Sequence, residues 1–180
     1  MNDKSRSFLF SLLVYVAFFA SGAACLVAEV SWNRMLIVVV GNSLSAAAMI
    51  IMIFMGGLGL GSFVGGRVLG RRRRSLMPYV VMEVLVGIYV LLSPRLFDGL
   101  ANLFTSLSDS MDDRGGLTLI RVAVSTAALL VPAFVMGATF PAMINGAATS
   151  TADGRSARTG FLYSVNTIGA AIGTFAAGYH

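Results

Sequence analysis

Five long apolar runs, parted by short polar or basic stretches, organise this chain. The first extends from about Phe8 to Val30 and the second from about Leu44 to Gly66. The third covers about Pro78 to Leu96, the fourth about Leu117 to Ile144, and the fifth about Thr159 to His180. At about 1.5 Å of rise per residue, each is long enough to cross a hydrocarbon core about 30 Å thick as a helix. A lipid-exposed backbone must satisfy its polar groups internally, so runs of this length are predicted to be helices. The pattern predicts an all-α fold: a polytopic transmembrane bundle of about five helices forming one domain over residues 1–180. Ser31 to Gly41 is predicted as an interfacial stretch after the first span. A polar link with Asp98, Asp109, Asp112 and Asp113 is expected between the third and fourth.

The basic residues orient the spans. With the N-terminus in the cytoplasm, Lys4, Arg6, Arg67, Arg71 to Arg74, Arg155 and Arg158 fall on the inner side, nine of the thirteen Lys and Arg. Arg34, Arg95, Arg114 and Arg121 fall on the outer side, where the longest and most acidic link also lies. This is the asymmetry of the positive-inside rule. It predicts a bacterial inner (plasma) membrane protein with its C-terminus on the outer side. Lys4 and Arg6 ahead of an apolar run, with small residues before Cys25, also resemble a signal peptide. The run is too long for that, and it is read as a retained span.

Composition agrees. The chain is 57% hydrophobic and 12% charged, too few charges to cover a soluble domain. The net charge of +5 is gathered between apolar runs, which points to membrane orientation rather than nucleic acid. A single cysteine, Cys25, leaves no disulfide framework or cysteine-based metal site. No metal or cofactor is expected.

Glycine spacing adds a packing signal. Gly57, Gly61 and Gly65 recur every four residues, as do Gly169 and Gly173. Such stripes let helix backbones approach closely where lipid offers little hydrophobic drive for association. Gly57 to Ser62 superficially matches a nucleotide-binding loop, but it lies inside an apolar span, not between a strand and a helix. Pro132 and Pro141 predict a kink or break in the fourth helix.

Few side chains offer chemistry. Arg71, Arg72, Arg73 and Arg74 form a cytoplasmic basic cluster suited to anchoring beside anionic lipid. Glu29, Arg34, Glu83 and Arg121 fall in or at the edges of spans, where an ionisable group is costly unless paired. Glu29 matches the depth of Arg121, with Arg34 as a competing partner, so a helix-locking ion pair is expected; proton or solute coupling is the alternative. Tyr163 and Asn166 are polar candidates on the fifth helix. His180 has no partner motif, and no nucleophile–base arrangement is present.

Several segments together resemble the membrane-bound spermidine synthase-like family, in which a major-facilitator-like membrane domain is fused to an aminopropyltransferase. They are Ser21 to Ala24 with Glu29, Trp32, Arg34 and Leu36; Gly56 to Arg67; Pro132 with Met136 to Pro141; and Gly160, Tyr163, Asn166 to Ala170 and Gly173. The resemblance implies part of a major-facilitator N-terminal half. It departs at Gly70, where the family carries an acid, and the family's catalytic residues have no counterparts here. The resulting expectation is a membrane subunit that anchors or scaffolds partner proteins without catalysis of its own. The alternative is a transporter-like protein moving a small solute, a cation or polyamine, as an oligomer. The expected partners are the bilayer and other membrane chains or further copies, not nucleic acid.

Overall fold

The computed structural model describes residues 3–40, 44–70, 75–110, 114–147 and 152–179. They form five helices: α1 Asp3–Val40, α2 Leu44–Leu69, α3 Met77–Ser110, α4 Arg114–Gly146 and α5 Ala152–Gly178. There is no strand among the described residues. Each helix contains a segment apolar and long enough to cross a membrane, so the architecture is an all-α transmembrane bundle.

Two expected boundaries are corrected. The stretch from Ser31 is not a separate interfacial segment, because α1, 38 residues long in all, continues through it to Val40. Trp32 and Leu36, one turn apart, are fully buried there, and this packing carries the helix past Ser31, Asn33 and Arg34. The third helix does not stop near Leu96 but runs to Ser110. Phe97 and Phe104 are buried, so part of the expected polar link is helix with an apolar inner face.

Prolines interrupt the hydrogen bonding of α3 and α4 but not the helices. A helical proline leaves the carbonyl four residues earlier without its usual donor. For Pro132 that carbonyl is Ala128, and Tyr89 of α3 donates to it at 2.5 Å. For Pro94 it is Val90, and Ser93 donates to it at 2.9 Å. Trp32 of α1 in turn donates its indole N–H to Ser93 at 2.9 Å. Inside a bilayer no water can fill these vacancies, so neighbouring side chains do. They also tie α3 to both α1 and α4.

The bundle is built mainly from two helix pairs, α2 with α4 and α1 with α5. In the first, a Cβ added to Gly57 would lie 2.7 Å from the Ala133 Cβ, and one on Gly61 would strike the Phe134 carbonyl oxygen. One on Gly65 would lie 3.0 Å from Ala138 and from Pro141. Gly137 of α4 returns the contact against the Leu58 carbonyl. In the second pair, Gly169 and Gly173 of α5 face the carbonyls of Phe19 and Ala23, and Gly22 of α1 faces that of Asn166. Both pairs thus join a Gly-x-x-x-Gly helix to a helix carrying one reciprocal glycine. The reciprocal glycines share local sequence, Phe19-Ala20-Ser21-Gly22-Ala23 and Phe134-Val135-Met136-Gly137-Ala138.

Candidate functional site

Two apolar clusters fill the bundle. One gathers Trp32, Leu36, Ile50, Phe54, Phe97 and Leu129. The other gathers Val14, Phe18, Tyr79, Met143 and Leu162. Between them lies a cavity of about 340 Å³ that all five helices line, mostly with apolar side chains and with a few polar groups. The contributing residues of α1, α2 and α5 fall near the middle of their spans.

Glu83 supplies the only charged side chain among the described residues lining this cavity. It is half-buried on α3, and Ser21 of α1 donates its hydroxyl to Oε1 at 2.5 Å. One turn before it, the Tyr79 hydroxyl donates to the Ala17 carbonyl at 3.4 Å. Hydrogen bonds exchanged between α1 and α3 therefore hold this end of α3. From α5, Asn166 brings an amide to the wall, its Oδ1 2.8 Å from where a Cβ on Gly22 would sit. The absence of that Cβ lets the Asn166 side chain reach the cavity. Tyr163 adds a phenol whose ring meets Phe140 edge-on at 5.9 Å. Phe140 stacks at 5.7 Å on Phe18, which floors the cavity with aromatic faces. Ser62 and Thr139 complete the polar lining, although the Thr139 hydroxyl is already donated to the Met136 carbonyl at 2.7 Å. Cys25 contacts the Met136 sulfur at 3.7 Å.

The candidate residues are thus divided. Glu83, Tyr163 and Asn166 come together at the cavity, while Glu29, Arg34 and Arg121 do not. Glu29 forms no ion pair with either arginine, and its Oε2 is buried without a hydrogen-bond partner. Arg34 donates to the Gly178 carbonyl at the end of α5, at 3.4 Å, where the exposed carbonyls and helix dipole favour a cation. Arg121 donates to the Phe104 carbonyl at 3.1 Å and lies 5.7 Å from that ring. The glycines Gly57, Gly61, Gly65, Gly169 and Gly173 all sit at helix contacts. Arg71, Arg72, Arg73 and Arg74 lie outside the described residues, as does His180. No cluster of metal-ligating side chains occurs among the described residues.

Sequence reasoning missed Ser21 as the partner of Glu83, and placed Gly22 and Gly137 only within the family resemblance, not among the packing glycines. The signal for the glycines was available in the repeated Phe-x-x-Gly-Ala. For Ser21 there was none, because a serine in an apolar span more often returns its proton to its own helix, as Ser31 does to the Val27 carbonyl. No protein-family model, curated protein or solved structure matches the chain.

Proposed function

We propose that this chain is the membrane-embedded binding unit of a transporter-like protein, and that its central cavity takes a small cationic solute of the amine class. The observation that carries this reading is Glu83: a carboxylate six residues inside the start of the α3 span, hydrogen-bonded to Ser21, lining a cavity with no Lys, Arg or His among its described lining residues. An ionised carboxylate at such depth needs a cationic partner. An amine would supply it, and Asn166, Tyr163 and the Phe18 and Phe140 faces would receive its remaining N–H groups and its carbon chain.

Two further features favour the reading. The apolar clusters lie on either side of the cavity, a layout suited to a site closed from water. The cavity also lies where the two similarly built helix pairs meet, since both Gly22 and Gly137 line it. Secondary transporters place their sites at the midplane interface of structural repeats. The resemblance to spermidine synthase-like membrane domains supports an amine as the solute class. The distribution of Lys and Arg supports a cytoplasmic N-terminus, and the membrane proposed is a bacterial inner membrane.

The test is equilibrium binding of tritiated 1,4-diaminobutane and spermidine to purified protein in nanodiscs. Saturable binding, weakened at least tenfold by Glu83→Gln, is expected. Failure of both amines to bind saturably would overturn the reading.

A scaffold or anchor function is a second reading, favoured by a different surface. Gly56, Gly59 and Gly66 lie on the face of α2 turned away from α4, with open space where a Cβ would be. Another membrane helix, from a partner or a second copy, would pack closely there. Purification in mild detergent tests this. A stoichiometric second chain, lost on Gly59→Leu, is expected for a scaffold, and a chain that purifies alone and monomeric counts against it.

A further inference from the structure

Glu83 and Ser21 do not face the central cavity alone. A second, shallower hollow lies on the outer surface between α1 and α3, and Ser21, Ala24 and Glu83 line both. Its remaining lining is apolar: Ala17 and Ala20 on α1, Val80 and Val84 on α3, with Tyr79 at one end. Ala17, Ala20 and Ala24 fall on one stripe of α1 by helical spacing, and their short side chains leave a trough between the helices. All three are exposed, as are Val80 and Val84, and all belong to membrane-crossing segments. The trough therefore opens to lipid, while its wall carries the one carboxylate of the central cavity.

We infer that the solute is an amphiphilic monoamine, bound with its ammonium at Glu83 and its alkyl chain in the α1–α3 trough. This rests on the reading above for the ammonium at Glu83, narrows the solute class, and moves the carbon chain from the Phe18 and Phe140 faces to the trough. The chemistry of the trough argues for it. A cation without a tail would leave the trough to lipid acyl chains and could not enter along it from the bilayer. A neutral alkyl chain would leave the carboxylate without a cation. A molecule with both satisfies both at once, and it can enter from the bilayer, where such amines partition. A phosphatidylethanolamine headgroup fits less well. Its phosphate would stand beside Glu83 with no Lys, Arg or His among the described residues of either hollow, an uncompensated anion in a medium that penalises it. The Ser21–Glu83 hydrogen bond bridges α1 and α3 at the boundary between the hollows, so it is also the contact that the ammonium would join or replace.

The experiment measures binding of tritiated decylamine and, separately, tritiated 1,4-diaminobutane to the full chain in phosphatidylcholine nanodiscs, with empty nanodiscs subtracted. Saturable decylamine binding is expected, poorly competed by decanol and weakened at least tenfold by Glu83→Gln. Ala20→Trp and Val80→Trp fill the trough from its lipid side without touching the central cavity. Each is expected to weaken decylamine at least tenfold and to leave diaminobutane within twofold. If neither variant moves decylamine by more than twofold, the chain does not lie in the trough and the inference fails. If diaminobutane binds through Glu83 while decylamine does not, the inference fails and the cavity reading stands. If neither amine binds, both fail. If phosphatidylethanolamine in the nanodiscs abolishes decylamine binding to the native chain but leaves diaminobutane unaffected, a lipid is the occupant and the inference is overturned. Size-exclusion profiles of each variant separate loss of binding from loss of fold.

Discussion

Gly61 of α2 and Phe134 of α4 meet backbone to backbone: a Cβ on the glycine would collide with the Phe134 carbonyl oxygen and come within 2.8 Å of its carbonyl carbon. No flexible side chain stands between the two helices at this point. Any added atom must therefore move a whole helix.

The first prediction follows from that contact. Gly61→Ala should destabilise the bundle by about 1 to 3 kcal/mol, the usual cost of overpacking. Gly56→Ala, where the new methyl meets open space, should stay within about 0.5 kcal/mol of the native chain or gain slightly from better helix propensity. Thermal unfolding in detergent, followed by loss of the monodisperse peak, compares the two. Equal midpoints would show that α2 and α4 are not held at the observed distance.

The second prediction concerns the relay from Trp32 through Ser93 to the Val90 carbonyl. Ser93→Ala leaves a buried indole N–H and a proline-released carbonyl without partners, and should cost about 1 to 3 kcal/mol. Pro94→Ala restores an N–H at the position that Val90 would normally bond. The cost of Ser93→Ala should therefore fall when Pro94→Ala is also present. A double-mutant cycle by chemical denaturation reads the coupling, and the single tryptophan provides the fluorescence signal.

The third prediction corrects the expected ion pairing. Glu29 forms no ion pair with Arg121, which is committed to Phe104. Glu29→Gln and Arg121→Met should be additive within about 0.5 kcal/mol, as for independent sites. A coupling energy above about 1 kcal/mol would mean that the two charges meet in the folded bundle.

The fourth prediction tests orientation. Alkaline phosphatase, which is active only outside the inner membrane, should be active when fused after Ser110 and inactive when fused after Leu69. The reverse pattern would invert the proposed topology and place the α3–α4 connection in the cytoplasm.

Much of the fold was legible because length and hydropathy report directly on whether a segment can cross a bilayer. Helix ends were less legible. Ser31, Asn33 and Arg34 look like a boundary in the sequence, yet Trp32 and Leu36 bury themselves one turn apart and keep α1 continuous. Pro132 looks like a break, yet Tyr89 supplies the donor that the Ala128 carbonyl lost. The candidate site was legible in part. Glu83, Tyr163 and Asn166 stood out as polar groups in apolar surroundings, but nothing in their spacing said that they share a cavity. Charge depth along the chain suggested a Glu29–Arg121 pair, because depth is readable from sequence and the angular position of one helix around another is not.

By itself the sequence determined the number of spans, their all-helical character and the glycine rows along which helices can approach closely. Those properties depend on a segment's own residues and on the bilayer as solvent. Only the tertiary structure decided which helices pair, that Ser21 hydrogen-bonds to Glu83, and that a cavity with a few polar groups lies between two apolar clusters. Inside lipid an apolar side chain is equally at home against a neighbour or against the bilayer. The pattern of hydrophobic residues therefore cannot choose a helix's partner, and close fit between surfaces makes that choice.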